Sequence, residues 1–345
     1  MRIVVASVRT PFVFGGAELH ARSLISALQS AGHDAELFEV PLQCHPAERI
    51  PELMLACRLM DVTLHADLLI GLKFPAYYIR HPNKVLWILH QHRQAYDLWD
   101  HPLAGDLIRS QDGLGIRSAV TEADRSLIPE ARHVYANSKN VASRLKHYCG
   151  LDSIPLYHPP PGAELFHSAA FDDYLFFPSR LTAIKRQELV LHALAKTRHR
   201  VRVVFAGAPD VPSYDQQLGH LTTQLRLDDR VQWLGRISEE RKRDLYANAL
   251  GVVYPPLDED YGYVTLEAML SGKPVITCVD SGEPVEFVTD GETGLVVPAD
   301  PGALAAALDT LWDDRAAAMR MGAAACDRYK SLEISWESVV RMLAS

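Results

Sequence analysis

The chain has 345 residues, 48% of them hydrophobic, which is enough material for two ordinary domains that each bury a core. Its formal net charge of −8 excludes a phosphate-tracking surface for nucleic acid, because such a surface needs an excess of Lys and Arg. Five cysteines (Cys44, Cys57, Cys149, Cys278 and Cys326) are odd in number and lack Cys-x-x-Cys spacing, so neither a disulfide framework nor a structural zinc site is expected, and the expected setting is a reducing cytoplasm.

In chain order, Ile3–Val8 is a short β-branched run and reads as a buried strand, followed by a glycine-containing loop and a helical pattern over Ala17–Ala31 that stops at Gly32. Ala35–Val40 completes a βαβ opening, and Ala66–Ile70, Val85–Leu89 and His133–Ala136 repeat the strand signal at crossover spacing. That alternation predicts a parallel sheet covered on both faces. Segments 41–65 and 91–130 carry no interpretable motif. The apolar run in MRIVVASVRTPF is too short for a secretory signal, and no segment approaches the roughly 20 apolar residues of a membrane span. Peripheral contact with the inner face of a membrane stays compatible with the composition.

Around HPPPGAELF three successive prolines interrupt both helix and central strand, which predicts a linker between residues 157 and 167. The alternation then restarts. Strands are expected at Tyr174–Pro178, Val201–Ala206, Val231–Leu234, Gly251–Tyr254 and Val275–Cys278, with helices at Arg186–Lys196, Tyr214–Leu225, Glu239–Ala249 and Val264–Ser271. The expected class is therefore α/β, with two Rossmann-like domains whose parallel sheets face each other across a cleft: residues 1–160, residues 161–330, and a final helix, 331–345, returning to the first domain. Trp336, Val339, Val340 and Leu343 form its apolar stripe, which core packing alone also explains.

The most informative stretch is PPLDEDYGYVTLEAMLSGKPVI, residues 255–276. If a helix begins near Gly262, the N–H groups of Gly262, Tyr263 and Val264 form an anion site, with Glu259 before it and Glu267 one turn inside. Spacing alone equally allows Glu259 to cap the helix and Glu267 to be a solvated helix residue. Arg180 and Lys185 follow a predicted strand in FFPSRLTAIKRQELVLHAL and suit a diphosphate clamp, although surface Arg and Lys are common. Gly15 and Gly16 precede the first helix and permit close backbone approach, or simply a turn. His90 ends an apolar strand and should emerge at the carboxyl edge of the first sheet, with His92 and Arg93 close behind.

Glu259-x7-Glu267, inside EDYGYVTLEAMLSGKPVI and continued by DSGEPVEFVTDGETGLVV, resembles the signature of retaining GT-B glycosyltransferases of family four. The resemblance implies that Glu259 contacts donor-sugar hydroxyls, that the 262–264 backbone meets phosphate and sugar, and that Glu267 meets the ribose. It also implies that Arg180 and Lys185 stabilise the leaving nucleotide, and that Gly15 and Gly16 belong to a phosphate and acceptor loop. His90 would lie near the donor sugar or reacting centre, Gly207 would end a strand toward the cleft, and Gly235-Arg236-Ile237 would meet the nucleobase. Gly282-Glu283-Pro284 departs from the two glycines before proline that members often carry.

The activity so implied is metal-independent, retaining transfer of a sugar from a nucleotide-diphosphate donor, a UDP-sugar first and GDP-mannose next, to a saccharide, lipid-linked or small-molecule acceptor, with no cofactor. Asp258-Glu259-Asp260 offers an Asp-x-Asp pair for a divalent cation, but the expected cations and helix start supply that charge instead. A nucleotide-sugar epimerase and a non-catalytic nucleotide-sugar-binding protein of the same fold are the rival readings. A dinucleotide-dependent oxidoreductase is disfavoured, because no Gly-x-Gly-x-x-Gly follows a predicted strand.

Overall fold

The computed structural model describes residues 1–12, 15–42, 44–102 and 104–345. The chain divides into two compact units, residues 1–161 with 334–345, and residues 162–333.

The first unit is built on six parallel strands, β1 (Arg2–Arg9), β2 (Asp34–Pro41), β3 (Leu68–Gly71), β4 (Lys84–Ile88), β5 (His133–Ala136) and β6 (Ile154–Pro155), ordered β2-β1-β3-β4-β5-β6. β3 and β4 are buried along their whole length, as strands covered on both faces must be. Its helices are α1 (Gly16–Ser30), α2 (Arg49–Leu59), α3 (Gly113–Leu127) and α4 (Lys139–Cys149). α1 buries His20, Ala21, Leu24 and Leu28, the spacing of one helix face. α4 starts where Ser138 accepts a bond from the Val141 N–H at 3.0 Å and ends at Gly150 in the left-handed region.

A polar knot sits inside this unit. The fully buried Asp124 of α3 accepts bonds from the hydroxyls of Tyr77 at 2.9 Å, Tyr78 at 2.7 Å and Tyr96 at 2.7 Å, and from the Gln91 amide at 3.3 Å. Burial pushes the Asp124 carboxyl pKa up, and the hydroxyl bonds oppose the rise.

The second unit has its own parallel sheet: β7 (Leu175–Pro178), β8 (Val203–Ala206), β9 (Val231–Trp233), β10 (Gly251–Val253), β11 (Val275–Cys278) and β12 (Gly294–Val297), ordered β12-β11-β10-β7-β8-β9. Its first strand, β7, lies in the middle with β10 on one side and β8 on the other, so the winding direction reverses between β7 and β10. That is the topological switch point, where loops diverge and leave a crevice. The helices are α5 (Gln187–Leu194), α6 (Pro212–Gln224), α7 (Glu239–Asn248), α8 (Tyr263–Leu270), α9 (Glu283–Phe287), α10 (Pro301–Asp313) and α11 (Arg315–Ser331).

The last helix, α12 (Trp336–Leu343), belongs to the first unit. Its N-cap Ser335 accepts from the Ser338 N–H at 3.2 Å, and Val339, Val340 and Leu343 join a core with Ile3, Val5, Leu24 and Leu28. The returning segment starts at Ile334 and not at residue 331, because α11 continues to Ser331 within the second unit. Among the described residues, no helix is long and apolar enough to cross a membrane.

Candidate active site

A polar cluster of the second unit forms at the switch point. Past β7 the chain runs through Arg180 into a short turn, Ala183–Lys185, and Arg186 adopts a left-handed φ of 59° that swings it into α5. The Gln187 amide donates to the Arg180 carbonyl at 2.9 Å, and the Leu257 N–H, from the loop after β10, donates to the Ile184 carbonyl at 2.7 Å. These bonds bring two segments far apart in sequence into register.

Lys185 is buried, and its ammonium ion-pairs with the Glu259 carboxylate while lying 3.1 Å from the Tyr254 hydroxyl. Tyr254 donates to the same Glu259 oxygen at 3.0 Å. Burial, reinforced by the Glu259 charge, raises the Tyr254 pKa well above its ordinary value, so it remains a phenol and a donor. Arg180 is more exposed and pairs with Asp210 at 2.7 Å. Tyr254 and Asp210 are partners that the spacing of the motifs does not reveal.

α8 begins at Tyr263, with Gly262 as its N-cap at φ 80°, a residue that has no side chain to cap the first turn. A Cβ on Gly262 would lie 3.1 Å from Pro284 Cγ, so glycine is needed for both the backbone conformation and the space. The Glu259 backbone is fixed from the neighbouring loop. Its N–H donates to the Ser281 carbonyl at 2.9 Å, and its carbonyl accepts from the Glu283 N–H at 3.1 Å. The Gly282-Glu283-Pro284 variation therefore lies in the segment that holds Glu259 in place. Val264 is buried and Tyr263 half-buried.

Glu267 is neither solvated nor loose. It is 4% exposed, with one oxygen bonded by the Lys242 ammonium at 2.9 Å and the other by the Tyr246 hydroxyl at 2.8 Å. Gly262, not Glu259, occupies the cap position, so the capping and solvation alternatives left open by the spacing are both overturned.

Gly207 has a φ of 153°, and a Cβ there would fall 2.0 Å from the Ser179 carbonyl oxygen, so no other residue fits. Its N–H donates to the Gly235 carbonyl at 2.8 Å. Ile237 packs against the hydrophobic core of the unit.

The first-unit candidates lie elsewhere in the chain's architecture. Gly15 is the N-cap of α1 at an extended φ of −150°, and its N–H donates to the Glu18 carboxylate at 2.8 Å. The start of α1 thus carries its own anion, a competitor for any phosphate, which the reading of the two glycines missed. Gly16 is exposed, and Val13 and Phe14 of the same loop lie outside the described residues. His90 stands two residues past β4, half-buried, with Nδ1 2.7 Å from the Gln91 carbonyl. The His92 ring packs against Phe74 at 5.1 Å, and burial lowers its pKa to about 4. Arg93 pairs with Asp97 at 2.6 Å.

Residues 168–328 match the family model described as glycosyl transferases group 1. The second unit is a glycosyl transferases group 1 domain. Among curated relatives, a D-inositol 3-phosphate glycosyltransferase of Corynebacterium efficiens is 32% identical over 176 residues, covering 49% of this chain and 41% of that one. The corresponding protein of Corynebacterium diphtheriae is 27% identical over 296 residues, covering 76% and 67%. The chain thus spans about two fifths of the length of the first of these relatives and two thirds of the second.

Among solved structures, sucrose-phosphate synthase from Thermosynechococcus elongatus superposes with a TM-score of 0.80 at 19% identity, covering 99% of this chain and 97% of that one. Anabaena HepE in complex with UDP and glucose gives 0.71 at 20% identity, covering 100% and 98%. The fold is GT-B, an α/β architecture with two parallel sheets.

Proposed function

We propose that the protein is a retaining glycosyltransferase that moves a sugar from a nucleotide-diphosphate donor to a hydroxyl of a saccharide, lipid-linked or small-molecule acceptor. The observation that carries this reading is the contact of Lys185, Glu259 and Tyr254 at the switch point, next to the glycine-led start of α8. A UDP-sugar is the first donor choice and GDP-mannose the second; the HepE complex holds UDP and glucose, which supports that order. The five cysteines, all free, support a cytoplasmic setting.

In the proposed reaction the bond from the anomeric carbon to the β-phosphate oxygen breaks, and the acceptor oxygen bonds to that carbon on the same face. The acceptor proton passes to the departing phosphate oxygen. Lys185, Arg180 and the Gly262–Val264 backbone meet the negative charge as it develops, and such preorganised donors are usually the largest catalytic contribution. With that charge supplied by the chain, the step uses no metal and no cofactor. Glu259 orients sugar hydroxyls, Glu267 holds the ribose, and Gly207 with Gly235–Ile237 borders the base. His90 is assigned to the reacting centre, and Gly15 and Gly16 to the acceptor side, where Glu18 now accompanies them.

The test is a transfer assay with UDP-glucose and GDP-mannose against a panel of acceptors, with the product anomer read by NMR. A glycoside of retained configuration, lost in Glu259→Ala and Lys185→Ala, supports the proposal. A product of inverted configuration, an epimer of the donor as the only product, or donor binding with turnover indifferent to both substitutions, overturns it.

A further inference from the structure

Glu267 presents a problem that its assigned role does not solve by itself. A glutamate carboxylate turns about several side-chain bonds, so its oxygens face a ligand only when neighbouring donors hold them there. In the second unit, two residues of α7 supply those donors. Tyr246, whose ring is wedged against Phe176 at 5.0 Å and Phe166 at 5.8 Å, bonds one Glu267 oxygen, and Lys242, one turn earlier, bonds the other. Lys242 is itself held from the far side by Glu239 at 2.7 Å.

We infer that Lys242, seconded by Tyr246, is a positioning residue that aims the Glu267 carboxylate at the ribose hydroxyls, and thereby sets a preference for ribonucleotide over deoxyribonucleotide donors. The inference rests on the donor-site assignment of Glu267 given above. Each carboxylate oxygen offers about two lone-pair positions, so one internal donor apiece leaves one position on each for a ribose hydroxyl. Burial alone would weaken the Lys242 charge, yet the Glu267 and Glu239 carboxylates outweigh it and hold the ammonium above its ordinary pKa. A turned Glu267 would lose the ribose while leaving the diphosphate grip of Lys185 intact. The effect is therefore confined to one part of the ligand.

The experiment is calorimetric titration of UDP and 2′,3′-dideoxy-UDP, or of the GDP pair if GDP binds more tightly, into wild type, Lys242→Met, Lys242→Arg and Glu267→Gln. Wild type should favour the ribonucleotide by about tenfold or more, as for bonds to a charged acceptor. Lys242→Met should bring the ratio within about threefold, by weakening the ribonucleotide and sparing the dideoxy compound, and Lys242→Arg should restore most of it. A merely structural lysine would weaken both ligands alike and leave the ratio unchanged, which overturns the inference. If Glu267→Gln abolishes the preference and Lys242→Met keeps it, this inference alone fails. If wild type shows no preference, or Glu267→Gln keeps it, the donor-site assignment fails as well. Should Lys242→Met not fold by circular dichroism, Tyr246→Phe carries the same test: a reduced ratio supports the positioning role, and an unchanged one overturns it.

Discussion

The two glycine-led helix starts, α1 in the first unit and α8 in the second, follow strands of parallel sheets and look alike on paper, but their chemistry is opposite. At α1 the cap glycine is extended and its N–H is already taken by the Glu18 carboxylate three residues on. At α8 the cap glycine is left-handed, and the carboxylate of Glu259, three residues before it, is drawn to Lys185 and Tyr254. A helix start whose cap N–H is bonded by its own first-turn carboxylate has less to offer a ligand than one whose preceding carboxylate is held by a lysine and a tyrosine. The pair of glycines is thus a poor guide to function; the fate of the first-turn charge is a better one.

That contrast can be broken most sharply at Lys185. Lys185→Ala should lower the transfer rate by on the order of 10²–10³ if the ammonium meets the leaving group, with steady-state kinetics as the measure. The same assay on Glu18→Ala should move little. A comparable loss in both would dissolve the distinction.

Gly262→Ala forces a left-handed alanine with its Cβ against Pro284, and should cost about 1–3 kcal/mol in thermal or denaturant unfolding. Gly15→Ala needs no such backbone, and its Cβ would sit at an ordinary 3.6 Å from Glu18, so its cost should stay under about 1 kcal/mol.

One turn into α1, the acid limb of stability provides a third test. His20 bonds His158 at 2.9 Å through Nδ1, packs on Trp87, and burial lowers its pKa to about 3. Its folded pKa lies below the ordinary 6.5, so the unfolded chain binds the extra proton between those values. Stability is complete above about 6.5 and declines as pH falls toward 3, on the order of 1 kcal/mol per pH unit. Melting temperatures across that window should fall less steeply in His20→Phe, and equal slopes would count against a neutral buried His20.

The smallest effect belongs to Glu18→Gln, which keeps a hydrogen-bond acceptor and removes the charge. It should cost about 0.3–1 kcal/mol and leave nucleotide affinity, measured by titration, unchanged.

The β-branched runs of both sheets were readable because a buried parallel strand has nowhere to place polar residues. The Glu259 to Glu267 motif was readable because its spacing survives as a loop and one helix turn. α2 was not readable: Leu55 and Leu59 point to solvent, so the apolar residues of its sequence do not trace one face. α3 opens on Gly113 and Gly115, poor helix formers that hide its start. At the site, the partners of the motif residues come from other elements. Tyr254 directly follows β10, Lys242 and Tyr246 lie on α7, and Asp210 follows β8; only the fold brings them to Glu259, Glu267 and Arg180. Asp124 and its three tyrosines were invisible for the same reason.

The return of α12 to the first unit makes the chain's two halves unequal under dissection. Residues 162–333 are an uninterrupted insert that carries all six of its own strands, so a gene fragment cut at those points encodes a full sheet and its helices. Residues 1–161 are a torn piece: without Val339, Val340 and Leu343 its core around Leu24 and Leu28 is left open to water. A protease that clips only near residue 333 would therefore wound the half of the molecule it never touched.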